Sequence, residues 1–187
     1  GLGETRVSLV ESGRLVQVSI DRPGLQTAVG GIWLGRVTRV LPGMQAAFVD
    51  IGFGKAGFLS ARDARVLDPA AGGEAAETPP IGRLLQEGRI LPVQVTKDPV
   101  GDKGVRLTAD LVLPGRYLAH TPLAAGVHVS RRIAEAGERE RLLAALADVG
   151  GPGGFIIRTA AAGIAEAALQ AEAERLRLQW ATLAATI

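Results

Sequence analysis

Apolar and polar residues alternate over two short stretches at the start of the chain. Arg6-Val7-Ser8-Leu9-Val10 and Leu15-Val16-Gln17-Val18-Ser19-Ile20 flank a turn at Glu11-Ser12-Gly13, and this pattern predicts a hairpin ended by Arg22-Pro23-Gly24. An isolated hairpin is marginal in water, so this one is expected to join a larger sheet. Between residues 32 and 110 strand signals are dense. Runs at 32–41, 46–51, 57–59, 90–97 and 105–108 are each bounded by Gly, Pro or Asp turns. Short strands of this kind with one long interruption predict a small Greek-key barrel of the OB type. Most of the interruption is residues 68–80 (DPAAGGEAAETPP), a small-residue polar segment expected to be a flexible surface loop. A short helix around Arg83-Leu84-Leu85 is expected to follow.

Beyond Pro114 the pattern changes its period. Residues 138–148 predict a short helix with Leu142, Leu143 and Leu146 on its buried side. Gly150-Gly151-Pro152-Gly153-Gly154 breaks it, and residues 155–159 predict a compact strand. Residues 164–184 then predict a long helix. Its stripe of Leu169, Ala173, Leu176, Trp180 and Leu183 is spaced 4, 3, 4, 3, and Trp180 is expected to pack in the core. The fold class is α+β, a five-stranded OB-fold barrel followed by a small α/β region with a long C-terminal helix.

Composition narrows the chemistry. The chain has 187 residues, 47% of them hydrophobic and 21% charged, which is enough to bury a core and excludes a disordered chain. There is no cysteine, which removes disulfides, zinc ribbons and thiol nucleophiles together. The two histidines, His120 and His128, have a spacing that fits no familiar zinc pattern. No long apolar run and no signal-peptide pattern occur, so a soluble, cytoplasmic protein without a membrane span is expected. The net charge of +2 is too small to announce a nucleic-acid partner by bulk electrostatics. The basic set is lopsided, with eighteen Arg against Lys55, Lys97 and Lys103. Arg suits bidentate phosphate contacts, although an Arg- and Ala-rich coding bias explains the count equally well.

Two groups of residues could carry function. In residues 46–51 the strand period puts Val49 and Ile51 on one face and Phe48 and Asp50 on the other. With the apolar pair inside, Phe48 points outward, and Phe58 could lie near it on the next strand. Two aromatics with Lys97, Lys103 and Arg106 nearby would make a base-stacking platform with phosphate anchors. The alternative is that one or both Phe side chains belong to the core. Arg131-Arg132 follows a strand-like segment, and Arg158-Thr159 ends another. An Arg fork with a Thr hydroxyl can hold a terminal phosphate, whereas the plainer reading is a solvated Arg at a strand end.

The stretch Gly35-Arg-Val-Thr-Arg-Val-Leu-Pro-Gly-Met-Gln-Ala-Ala-Phe-Val-Asp-Ile-Gly52 with Gly57-Phe58-Leu59 resembles the RNA-binding OB domain of RNase E/G endoribonucleases, the ribosomal protein S-one type. The resemblance continues through Lys97, Lys103-Gly104-Val-Arg-Leu-Thr108 and Leu113-Pro-Gly-Arg-Tyr-Leu118. It ends with Val129-Ser-Arg-Arg-Ile133 and Gly154-Phe-Ile-Ile-Arg-Thr-Ala160. It implies an RNase H-like hairpin at residues 1–25, the OB barrel at 26–110 and a 5′-sensor region at 111–187. Phe48, Phe58 and Lys103 match the family's RNA-contacting positions. Arg158 and Thr159 match its 5′-phosphate pair, and Gly115 matches a backbone contact in the same pocket. Ala119 stands where a larger aliphatic residue is usual, which implies a looser pocket wall. Lys97, Arg106, Arg131 and Arg132 are weaker candidates.

The implied partner is single-stranded RNA with a 5′-monophosphate. The resemblance also implies a catalytic domain with magnesium-binding aspartates and a paired-cysteine zinc link between protomers, both beyond residue 187, and a homo-oligomer for the whole protein. No catalytic residue, metal or cofactor is assigned within this chain, and on its own it is expected not to cleave RNA. Two other readings remain open: a stand-alone RNA-binding regulator or degenerate paralogue, and a nuclease using an acid pair that no spacing reveals.

Overall fold

The computed structural model describes residues 5–11, 14–21, 27–68, 77–147 and 149–186. The predicted turn residues Ser12 and Gly13, the Arg22-Pro23-Gly24 stop, residues 69–76 of the predicted loop and Asp148 lie outside the described residues. Strands β1 (Thr5–Glu11) and β2 (Arg14–Asp21) pair antiparallel in a two-stranded sheet.

Five strands close the barrel: β3 (Ile32–Leu41), β4 (Ala46–Asp50), β5 (Gly57–Ser60), β6 (Ile90–Lys97) and β7 (Arg106–Thr108). Their order around the barrel is β3-β4-β5-β7-β6, with β5 and β7 parallel and the other neighbours antiparallel. The period-two pattern predicts which residues face in. Val37, Val49, Leu59, Val93, Val95 and Leu107 are almost completely buried and form one core. Between β5 and β6 lie α1 (Ala61–Ala64), a 3-10 turn at Arg65–Leu67 and α2 (Ile81–Leu84). Helix α1 is too short to show a hydrophobic period, so the sequence pattern does not announce it. Its start is set locally: the Ser60 hydroxyl accepts from the Asp63 N–H at 3.2 Å and donates to Asp63 Oδ2 at 2.5 Å.

The second unit is a four-stranded sheet of β8 (Leu113–Pro114), β9 (Leu118–Thr121), β10 (Gly126–Val129) and β11 (Gly154–Ile157) in the order β10-β11-β9-β8. Strands β10 and β11 are parallel, which requires a crossover, and α3 (Ala136–Ala145) supplies it. Helix α4 (Glu166–Ala184) follows. Leu118, Phe155, Ile157, Leu142, Leu169 and Leu176 form its core.

Two expectations are corrected here, and two strands are added. Leu143 is exposed, because α3 packs through Leu142, Ala145 and Leu146 instead. The α4 stripe is fully buried at Leu169, Ala173 and Leu176, and Trp180, half-buried, packs against the same core as expected, but Leu183 is exposed, because the helix outruns the core it covers. Strands β8 and β9 are an addition, too short and too interrupted by Pro114-Gly115 to register as alternation.

The two units meet at a polar clamp. Gln94, on β6 and 7% exposed, donates through Nε2 to the carbonyls of Gly30 and Val112, both at 2.9 Å, and accepts from the Val112 N–H at 2.9 Å. Ile32 of the barrel packs against the second core. Among the described residues no helix is long and apolar enough to cross a membrane.

Candidate functional site

Phe48 and Phe58 are directly opposed across β4 and β5, with ring centroids 6.3 Å apart and an edge-on angle of 73°. Both are half-buried, with Val49 and Leu59 beside them taking the inward positions. Of the two readings open from sequence, the outward one describes the rings. They line a groove of about 780 Å³ with Lys55, Lys97, Lys103 and Arg106. The Arg106 guanidinium lies 5.9 Å from the centre of the Phe58 ring, within cation–π range. Lys103 is carried on a tight turn, Val100 to Lys103, closed by a backbone hydrogen bond of 3.1 Å with Gly101 at φ +58°.

The acids at this groove are partly engaged. Asp98 accepts from the Thr27 hydroxyl at 2.6 Å and the Ala28 N–H at 2.9 Å, and Asp102 pairs with Lys55 at 3.4 Å. Exposed ion pairs of that kind contribute little. Lys97, Lys103 and Arg106 are left as cations beside two aromatic faces, a combination that can stack bases and hold phosphates.

The second cluster lies on the α/β unit. Arg158 ends β11. Its N–H donates to the Tyr117 carbonyl at 2.8 Å, and its Nη1 donates to the Gly115 carbonyl. Thr159 follows at the start of a 3-10 turn, its hydroxyl 3.2 Å from that of Ser130. Gly115 sits where no Cβ fits: one built there would stand 2.8 Å from Glu172 Oε1 and 2.9 Å from the Leu118 carbonyl oxygen. Ala119 is buried on β9, opposite Pro114 on one side and Ile156 on the other. Gly115, Arg158 and Thr159 are thus brought together, with Ala119 in the sheet beside them. Arg131 and Arg132 are exposed just past Ser130, and the Arg132 N–H donates to the Ser130 hydroxyl at 3.4 Å.

Glu172 of α4 organises the turn between Gly115 and Leu118. Its carboxylate accepts from the N–H groups of Arg116 at 2.8 Å, Tyr117 at 2.7 Å and Leu118 at 2.9 Å. Burial pushes this carboxyl upward, but the three N–H groups and Arg175 outweigh it and hold it below the usual carboxylate range. Sequence reasoning missed Glu172, although a signal exists: it falls between Leu169 and Leu176 at the spacing of the apolar stripe. Lys55 and Ser130 were also missed, and nothing in their local pattern distinguishes them.

A closed five-stranded barrel with an aromatic and basic groove, joined to a small α/β unit, defines an OB-fold protein of mixed α+β class. The model of the ribonuclease E/G family matches residues 112–187. The chain is similar to ribonuclease G of Escherichia coli (strain K12), 48% identical over 181 residues that cover 95% of this chain and 37% of that protein. It is 46% identical to ribonuclease G of Haemophilus influenzae over 95% of this chain and 37% of the relative. It is 40% identical to ribonuclease E of Escherichia coli (strain K12) over 89% of this chain and 16% of the relative. The chain belongs to the ribonuclease E/G family, and it spans about 37% of the length of the ribonuclease G relatives it matches.

The residues present do not fit the magnesium or zinc sites that the resemblance implies for the whole protein. Among the described residues no group of three or more His, Asp or Glu comes together, and the sequence has no cysteine.

Proposed function

We propose that this chain is the RNA-holding and 5′-end-sensing segment of a ribonuclease E/G-type endoribonuclease that acts in cytoplasmic RNA processing and decay. Phe48 and Phe58 stack two bases of a single strand, and Lys103, with Lys97 and Arg106, neutralises the flanking phosphates. The guanidinium of Arg158, oriented by the Gly115 carbonyl, and the Thr159 hydroxyl hold a terminal 5′-monophosphate. Ala119 forms part of the pocket wall, and Arg131 and Arg132 add positive charge at its edge. The chain binds and orients the strand, and the magnesium-dependent cleavage and zinc-linked assembly of the family are contributed by residues outside it.

The observation that carries this reading is the in-register pairing of Phe48 with Phe58 beside Lys97, Lys103 and Arg106, which have no acidic partner among the described residues. Fluorescence anisotropy with 5′-monophosphate and 5′-hydroxyl oligoribonucleotides of one sequence tests it. The monophosphate is expected to bind more tightly, and Arg158→Ala to abolish the difference while leaving the residual affinity. Phe48→Ala is expected to weaken both ligands by about 1–3 kcal/mol. Equal affinity for the two ends in the unaltered chain would sink the sensor role. Unchanged binding in Phe48→Ala would sink the platform.

A further inference from the structure

The two rings belong to a longer row. Read across the barrel by strand pairing, Arg39 of β3 faces Phe48 of β4, Phe48 faces Phe58 of β5, Phe58 faces Arg106 of β7, and Arg106 faces Lys97 of β6. Cations therefore stand at both ends of an aromatic pair. Neighbouring strands lie about 4.8 Å apart, so the row extends roughly 19 Å around the barrel.

The ends of the row depend on two β-bulges. In β3 the pairing passes from Val37 opposite Val49 to Arg39 opposite Phe48, which leaves Thr38 as an extra residue. In β6 it passes from Val95 opposite Leu107 to Lys97 opposite Arg106, which leaves Thr96 as an extra residue. Val37 and Val95 point into the core, at 1% exposure each. Without the bulges, strict alternation would send Arg39 and Lys97 inward as well. Each extra residue reverses the phase and turns a cation out beside the row. Each is also fastened in the same way: the Thr38 hydroxyl donates to the Phe48 carbonyl and the Thr96 hydroxyl to the Arg106 carbonyl, both at 3.2 Å.

Lys97 lines the groove, whereas Arg39 lies beyond it, past Phe48. Arg39 is exposed and has no ion pair or hydrogen bond from its guanidinium among the described residues. The acid brought near it in sequence register, Glu87, instead accepts the Val40 N–H at 3.0 Å. The same bulge sets Val40 against the barrel core and leaves Arg39, which the core does not use, turned outward at the end of the aromatic pair.

We infer that Arg39 is an RNA-binding residue that extends the single-strand path across β3, holding the phosphate on the far side of the base stacked at Phe48. This rests on the proposed RNA role of the groove and adds a second anchored end to it.

The test uses the full chain and two probes, octauridylate and diuridylate, with anisotropy or competition read from low to moderate salt. Arg39→Ala is expected to weaken octauridylate binding about 3- to 10-fold and to leave diuridylate unchanged. Its slope of log affinity against log salt is expected to be about 0.7 shallower, the loss of one phosphate contact on a single strand. Arg39→Lys, which keeps the charge, is expected to retain the slope. An unaltered melting temperature shows that the effect is not a folding defect.

Wild-type affinity and slope in Arg39→Ala, with weakened binding in Phe48→Ala, would overturn the Arg39 contact and leave the groove reading standing. No effect from either substitution would overturn both. Weakening in Arg39→Ala alone would overturn the row as one path.

Discussion

The Tyr117 N–H and the Glu172 carboxylate, 55 residues apart in sequence, form a hydrogen bond of 2.7 Å. The N–H groups of Arg116 and Leu118 complete a three-donor cradle around the same carboxylate. These N–H groups turn toward α4, which leaves the Gly115 carbonyl facing Arg158. Replacing the acid with Glu172→Gln removes the charge and leaves the cradle under-satisfied. A loss of about 1.5–3 kcal/mol is expected in urea unfolding, the range for hydrogen bonds to a charged group.

The same carboxyl sets a pH dependence. Its folded value lies below the ordinary 4.5, burial opposing and the backbone N–H groups favouring the charge. Its contribution to stability is therefore fully present above pH 4.5 and is lost as the pH falls through the folded value. The melting temperature of the unaltered chain is expected to fall over that acid range, and that of Glu172→Gln to fall less. Parallel curves for the two proteins would contradict the assignment.

Gly115 is limited by close approach and not by its torsions. Gly115→Ala puts a methyl group 2.8 Å from Glu172 Oε1 and forces the turn to move. The expected outcome is reduced preference for a 5′-monophosphate end with unchanged affinity of the barrel groove for an internal single strand. Both are read by anisotropy on the two end types.

His120 offers a second pH marker. Its ring is fully buried, Nδ1 lies 2.9 Å from the Gly154 carbonyl, and Nε2 has no hydrogen-bond partner among the described residues. Burial holds it below the ordinary 6.5, the Gly154 bond acts against that shift, and Arg177 adds to it. Stability is expected to decline as the pH falls below 6.5, because the unfolded chain takes up a proton that the folded ring resists. In a His128→Asn variant, which leaves His120 as the sole imidazole, ring resonances followed by NMR should titrate below 6.5.

Packing along α4 is uneven, and truncations should report it. Leu169→Ala is expected to cost about 2–5 kcal/mol in denaturant unfolding, as for other buried leucines. Leu183→Ala, at a position 37% exposed, is expected to cost well under half of that. Equal losses would mean that the helix is buried to its end.

The barrel was legible in the sequence because β3, β4 and β6 are long enough to alternate and turn residues bound each of its strand runs. The outward setting of Phe48 was legible for the same reason, since Val49 and Ile51 declare the inward face. Arg39 was not, because a bulge reverses the phase at Thr38 and alternation counted along the strand assigns it inward. The α/β unit was half legible: α4 shows its stripe, while β8 and β9 are short and their pairing depends on Glu172, which arrives from a distant helix. Leu143 looked buried because three leucines crowd one predicted side, and only the position of α3 against the sheet decides which two of them the core receives.

Under the proposed function, the Gln94 clamp has a consequence for how long an RNA must be. Barrel and α/β unit are joined by residues 109–112, of which Ala109 and Leu111 are fully buried, and the Gln94 amide ties Val112 back to the barrel. Such a joint sets the spacing between the groove and the Arg158 cluster. A strand whose 5′ end occupies the pocket reaches the groove only beyond a minimum number of nucleotides. Below that number the chain binds with one grip, and above it the second grip closes at high effective concentration. The connection is therefore a ruler, and affinity plotted against oligonucleotide length should rise in a step.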